Sequence, residues 1–459
     1  MARPDERSRR SDQVTLDELR LEAESGGIDT VLLVMTDMQG RLMGKRLHAP
    51  FFVSDIADHG AEGCYYLLTV DVDMNTVQGF SMGSWDTGYG DFVFRPDMST
   101  LRRVPWLERT ALVVADIEWQ DGTPVPASPR QILRRQLERL AERGWTANIG
   151  SELEFILFRD SYDEAREKRY HDLRPANPYN VDYSILGTTM VEDVLRPMRL
   201  GMAGAGIPVE DSKGECNFGQ HEVNFRYADA LTMADNHSIY KNGAKEIAWQ
   251  HGAALTFMAK FNEREGNSCH IHCSFWDEDG SLFPGEGHGF SSAFDGFLAG
   301  QLAATRELTY LFAPNVNSYK RFAKGSFAPT ALVWGVDNRT CAFRVVGHGQ
   351  GLRLENRLPG ADVNPYLAFA AIIAAGLHGI DNGLALEDEY RGNAYDAPEE
   401  RMAPRSLREA IDLFEGSELA REILGDEVVE HYLHAARTEQ QAFDAAVTDW
   451  ERYRGFERM

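Results

Sequence analysis

A chain of 459 residues, 43% hydrophobic and 26% charged, is long enough for a large buried core divided between two or more domains. Its net charge of −24 argues against a nucleic-acid backbone as partner, which requires a basic face, and fits a solvated acidic surface. The cysteines Cys64, Cys216, Cys269, Cys273 and Cys341 are odd in number and scattered, so they read as reduced thiols of a cytoplasmic protein rather than a disulfide framework.

Residues 1–13 are charged and lack an apolar core, so they read as a disordered leader and not a signal peptide. Residues 14–25 have the pattern of a short helix capped by Thr15 or Asp17. Residues 29–36 form a β-type run, and DMQGRLMGKR after them supplies a turn and a second strand. Residues 83–97 are rich in Gly, Asp and aromatics and read as irregular, while 111–119 read as a strand. DGTPVPASP (121–129) carries three prolines in nine residues and reads as a linker. An N-terminal domain over 14–120 and a larger domain over 121–459 follow from that break. The larger domain opens with an amphipathic helix at 130–143. It alternates strands (146–159, 269–276) with helices (236–251, 293–312) and ends in a mostly helical tail, 406–454. The apolar stretch near 367–377 is too short to span a bilayer and reads as a buried helix.

Four segments carry the chemistry: GSELEF (150–155), GECNFGQHE (214–222), SCHIH (268–272) and RLENRLP (353–359). On a strand, Glu152 and Glu154 share one face and Leu153 and Phe155 the other. Two such carboxylates either lie on a solvated outer face or repel unless a cation sits between them. His270 and His272 likewise share a face. Cys269 and Cys273 alternate to the opposite one, so this strand does not offer all four to one tetrahedral zinc ion. One histidine as a metal ligand and the other at a nucleotide or substrate fits better. Arg353, Glu355 and Arg357 alternate plus, minus, plus, either as a surface ladder or as a site wall where the acid holds metal and the arginines hold an anion. Arg321, Arg339 and Arg344 lie just upstream, which favours the anion site. Carboxylates with imidazole suit hard divalent ions such as Mg²⁺ or Mn²⁺. GRLMGKR (40–46) is one residue short of a phosphate loop and lacks its Ser or Thr, and GMAGAG (201–206) reads as a helix end.

Taken in order, with NSYKRF, DNRTCAFR and NPYLAFAA between and after them, these motifs resemble glutamine synthetase of the bacterial type I group. The resemblance implies an α+β fold: a small N-terminal β-grasp domain and a large catalytic domain with an antiparallel half-barrel sheet. It implies a dodecamer of two stacked hexameric rings with active sites shared between neighbours. Carried over by position, Glu154, Glu215 and Glu222 resemble ligands of a first metal, and Glu152, His270 and Glu355 those of a second beside the ATP phosphates. Arg321 and Arg357 resemble arginines that hold substrate carboxylate or phosphoryl oxygens, and Arg339 and Arg344 those that neutralise phosphate. His272, Ser274 and Arg353 fall at nucleotide-side positions, Gly266 where a carbonyl faces the substrate amino group, and Tyr395 at a tyrosine adenylylated in some members.

The chain departs from the family at the ammonium pocket. The spacing to GDFVFRPD places Val77 near the position of a family aspartate, and Phe327 stands where a family glutamate closes the pocket. Asn-Gly before the histidine strand becomes Glu265-Gly266. Each lost charge-assisted contact is worth about 1.5–3 kcal/mol, so weak use of ammonia and real use of a larger primary amine are expected. This resembles the γ-glutamylpolyamine and γ-glutamylethanolamide synthetase branches. Glu62, Asp86, Asp91 and Glu265 are candidate polyamine carboxylates; the pocket as read, with Tyr183 as a possible wall, leans to a short amine such as ethanolamine. The alternatives are a glutamine synthetase using ammonia and an inactive structural or regulatory homologue. Retention of the metal set and the arginines opposes the last.

Overall fold

The computed structural model describes residues 14–287 and 289–459. The expected leader, 1–13, lies outside the described residues.

Thr15 caps the helix Leu16–Ser25: its hydroxyl accepts from the Glu18 N–H while Glu18 reaches back to the Thr15 N–H. The apolar run 31–35 becomes the buried strand β1 (Thr30–Thr36), paired antiparallel to β2 (Leu42–His48) as the hairpin reading expected. The other strands of this sheet are β3 (Ala61–Cys64), β4 (Asp91–Pro96), β5 (Arg102–Arg103) and β6 (Thr110–Glu118). The order is β2-β1-β6-β4-β3, with β5 beside β6 and β1 parallel to β6. Strand β4 corrects the irregular reading of 83–97. Phe92 and Phe94 alternate into the core, a period-two signal masked by the Gly- and Asp-rich residues before it. The proline-rich segment after β6 is no free linker either. The Val125 N–H bonds the Ile117 carbonyl at 2.9 Å, folding it back on the strand, and Pro129 opens the next helix.

The larger sheet is built from β7 (Thr146–Phe158), β8 (Val209–Gly214), β9 (Gln220–Phe225), β10 (Ala228–Asp229), β11 (Ala254–Thr256), β12 (Cys269–Trp276), β13 (Trp334–Val336), β14 (Phe343–Val346) and β15 (Arg353–Asn356). Its order is β13-β14-β15-β12-β7-β9-β8, with β10 and β11 also on β7, and it curls as a half-barrel. All pairs are antiparallel except β13 with β14, which run parallel and correct the all-antiparallel expectation. Helices Ser292–Phe312 and Pro365–Asp381 pack together in the core, and the second carries the predicted apolar stretch. Glycines allow their backbones to touch: a Cβ added at Gly300 would lie 2.0 Å from the Ala375 carbonyl oxygen. Among the described residues no helix is long and apolar enough to cross a membrane.

An ion network centred on buried Arg130 ties the first sheet to two helices. Arg130, on helix Pro129–Ala141, meets Asp97 at 2.8 Å, Asp116 on β6 at 2.5 Å and Asp235 at 2.9 Å. Asp235 lies on helix Ala230–Gln250 and also accepts from the Tyr366 hydroxyl.

Candidate active site

Strand register assembles the site. Glu154 on β7 stands opposite Glu222 on β9, and Glu222 opposite Lys213 on β8, while Glu215 follows just beyond the end of β8. On the other side of β7, Glu152 stands opposite His270 on β12, and His272 opposite Glu355 on β15. Cross-strand partners sit close enough for their side chains to meet, so the registers place two acidic clusters side by side. Leu153 and Phe155 point into the core, and Cys269 and Cys273 are buried away from the histidines, as the alternation predicts. All five cysteines are free thiols.

The first cluster is Glu154, Glu215 and Glu222, whose ligand atoms lie within 4.8 Å of one another. Glu154 is fixed by the Ser268 N–H at 2.7 Å and Gln220 Nε2 at 3.0 Å. Burial, with Glu152 and Glu154 nearby, pushes the Glu222 carboxyl up to about 8 against the pull of Lys213. Lys213 pairs with Glu215 and lies 3.8 Å from Glu222.

In the second cluster Glu152, His272 and Glu355 bring their ligand atoms within 4.8 Å. His272 Nε2 is 2.8 Å from Glu152, while His270 Nδ1 lies 3.3 Å from Glu152 and 3.6 Å from Glu355. Geometry therefore groups His272 with the two glutamates where the family pattern put His270, and both rings converge on the same carboxylates. His270 Nε2 is buried with no hydrogen-bond partner. Although burial opposes it, hydrogen bonds with His270 and His272 hold the Glu152 carboxyl well below the usual range. Glu355 is buried as well, but Arg357, 2.5 Å away, brings it down to about 2. Three oxygen ligands in one cluster, oxygen and imidazole in the other, and an orphaned buried ring nitrogen make a donor set that fits divalent cations.

The first cluster, with Glu152 and His270 of the second, opens on a cleft of about 490 Å³, also lined by Asp182, Tyr183, Lys213, Cys216, Gln220, Glu265, Gly266, Ser326, Phe327, Arg339, Arg344 and Arg357. Phe327 is 56% exposed at φ +57°, a left-handed conformation uncommon for a bulky residue. Its carbonyl accepts from Arg357 Nη2 at 3.4 Å. Tyr183, 69% exposed, is not a packed core tyrosine; the Lys213 ammonium lies 5.0 Å from its ring centroid. Arg344 pairs with Asp337 and with Glu355 at 3.1 Å.

Several expected residues lie off this wall. Arg321 is buried behind it, donating to Ser268 Oγ and the carbonyls of Arg357 and Leu358. His272, Ser274 and Arg353 stand farther along β12 and β15, with Arg353 Nε donating to His272 Nδ1 at 3.3 Å and Ser274 Oγ accepting from Trp276. The Gly266 carbonyl already accepts from Gln220 Nε2 at 2.9 Å. Val77 does not line the cleft: it packs on the hydrophobic core and lines a separate small cavity with Met38, Phe80, Tyr310 and Ala436. Of the candidate polyamine carboxylates only Glu265 lines the cleft; Glu62, Asp86 and Asp91 do not. Tyr395 is half-buried, with its hydroxyl enclosed beside the Ser326–Phe327 backbone. The sequence reading missed Asp182, Lys213 and Gln220. Lys213 and Gln220 carried a signal, because alternation from Glu215 and Glu222 puts both on the site face.

Residues 126–454 match the model of the glutamine synthetase catalytic domain. The chain is 61% identical to γ-glutamylethanolamide synthetase GlnA4 of Streptomyces coelicolor, over 98% of this chain and 97% of that protein. It is 39% identical to a glutamate–isopropylamine ligase of a Pseudomonas species, over 93% and 95% of the two chains. Among solved structures it is similar to GmaS without ligand: TM-score 0.83 and 30% identity, over 95% of this chain and 98% of the other. Members of this family use ATP and divalent metals. The chain belongs to the glutamine synthetase family.

Proposed function

We propose that this chain is an ATP-dependent ligase that joins the γ-carboxylate of glutamate to a short primary amine such as ethanolamine through a γ-glutamyl phosphate. The observation that carries the amine assignment is Phe327: an exposed apolar ring lines a cleft that is otherwise mostly charged and polar, with Tyr183 as its other aromatic side chain. The carbons of an organic amine can bury apolar area against such a surface, and an ammonium ion has none to bury. The identities to two named glutamate–amine ligases support the same reading.

In this reading Glu154, Glu215 and Glu222 would hold one divalent ion, Mg²⁺ or Mn²⁺, and Glu152 and Glu355 with His270 or His272 a second. Such ions supply charge neutralisation for phosphoryl transfer. The γ-carboxylate oxygen attacks the γ-phosphorus of ATP, ADP departs, and a mixed anhydride results. Arg339, Arg344 and Arg357 line the same cleft and would neutralise the charge that spreads onto the phosphoryl oxygens. Arg321, behind the wall, holds Ser268 and the backbone beneath Arg357, so it positions the arginine that touches substrate. The amine then attacks the activated carbonyl and phosphate leaves. Phe327 and Tyr183 line the approach, where excluding water protects the anhydride from hydrolysis. ATP is assigned to the side of His272, Ser274 and Arg353.

A cytoplasmic dodecamer with sites shared between neighbours belongs to the same proposal, as does the division into domains at 14–120 and 121–459. The position of Val77 away from its own cleft accords with a loop that serves a neighbouring copy. Phosphate release by purified protein with ATP, Mg²⁺, glutamate and a panel of amines tests the function. Turnover with ethanolamine well above that with ammonium is expected; activity with ammonium alone overturns the amine assignment.

A further inference from the structure

Lys213 has no part in the mechanism above, yet the fold aims it into the first acidic cluster. It stands opposite Glu222 on β9, Glu222 stands opposite Glu154 on β7, and Glu215 follows two residues later. This order across three strands is fixed by register and does not depend on one side-chain rotamer. The ammonium pairs with Glu215, lies 3.8 Å from Glu222, and sits 5.0 Å from the centroid of the Tyr183 ring. Tyr183 is held at φ +55° with most of its surface exposed, and its ring face already carries the ammonium, so this contact remains when the carboxylates are taken by another cation.

We propose that Lys213 is the built-in counter-cation of the Glu154–Glu215–Glu222 cluster. It shares these carboxylates with the divalent ion, weakens the ion's binding there, and is left on the Tyr183 ring, which it already contacts, when the ion takes the carboxylates. The proposal rests on reading this cluster as a metal site. With all three carboxylates ionised, as ligation of an ion requires, the cluster and its lysine carry a formal charge of about −2, which a single divalent ion neutralises. Without the lysine the cluster carries an excess negative charge that holds the ion more tightly. The cation–π contact keeps the displaced ammonium from being simply expelled into water. A tuned, exchangeable ion suits a site that must release phosphate and reload nucleotide on every turnover.

The test titrates Mn²⁺ into metal-stripped full-length protein, reading free Mn²⁺ by electron paramagnetic resonance, with no amine or ATP present. Lys213→Met is expected to bind the tighter-responding ion about tenfold more strongly. Lys213→Arg should stay within about twofold of the parent, and adding Glu222→Gln to Lys213→Met should abolish the gain. Tyr183→Leu should weaken Mn²⁺ binding about threefold by removing the resting place, and should do nothing in the Lys213→Met background. Unchanged or weaker binding by folded Lys213→Met overturns the proposal. If that variant does not fold, parent-like affinity in Tyr183→Leu overturns it. Failure of the parent protein to bind Mn²⁺ at all would instead refute the metal assignment on which it rests, and ligase activity does not enter either reading.

Discussion

Replacing Phe327 with glutamate should turn the amine pocket toward ammonium. Both residues carry a Cβ, so the strain of φ +57° is common to parent and variant, and the comparison isolates side-chain chemistry. A new carboxylate able to pair with ammonium adds a charge-assisted contact of about 1.5–3 kcal/mol, which is about 10- to 150-fold in kcat/KM for ammonium. The opposite loss is smaller. The two methylenes of ethanolamine are worth about 1.6 kcal/mol if fully buried. Because the ring is 56% exposed, only about half of that is available, or about fourfold for ethanolamine. The ratio of the two kcat/KM values should therefore move by at least about 40-fold, measured by coupled ADP release with each amine under saturating ATP and glutamate. Phe327→Gln, polar but uncharged, should lose ethanolamine use without gaining ammonium use. An unchanged ratio in Phe327→Glu, or the same change in Phe327→Gln, would refute the argument.

Other expectations follow from particular contacts. Arg130→Met takes from buried Asp235 its ion-pair partner and leaves it the Tyr366 hydroxyl and the more distant charge of Arg102, while Arg134 still serves Asp97 and Asp116, so stability in urea should fall by about 3 kcal/mol; a loss below about 1 kcal/mol would contradict the network. Gly300→Ala drives a methyl group against the Ala375 carbonyl and should cost at least about 2 kcal/mol by the same measurement. Burial lowers His431 from 6.5 to about 4. The unfolded chain therefore takes up the proton first, and the contribution of the neutral ring is full above pH 6.5 and lost as pH falls toward 4, by about 3 kcal/mol. His431→Phe, which keeps a ring against Phe80, should flatten the decline in stability over that window. Saturating Mn²⁺ at about 100 times its dissociation constant should stabilise the protein by about 2.7 kcal/mol, reversed by chelation. Glu154→Gln should lose most of that gain, and a full melting shift in this variant would place the ion elsewhere.

The sequence by itself determined whatever depends on neighbours along the chain. Alternation put Glu152 with Glu154 and His270 with His272 on one strand face and sent Cys269 and Cys273 to the other, which set zinc aside before any fold was known. The Thr15–Glu18 capping pair and the apolar run of β1 were legible for the same reason, since each is decided within one helical turn or one strand. Tertiary structure decided what depends on register and packing between distant segments. Pairing of β7 with β9 joins Glu154 to Glu222, about seventy positions apart, pairing of β8 with β9 set Lys213 against Glu222, and pairing of β12 with β15 grouped His272 with Glu355. It also drew Arg321 behind the cleft wall and left Val77 at a separate small cavity, where motif order had placed both at the substrate. Strand pairing and burial are chosen by the whole core at once, so a motif can name a residue's chemistry while the fold decides what that residue can touch.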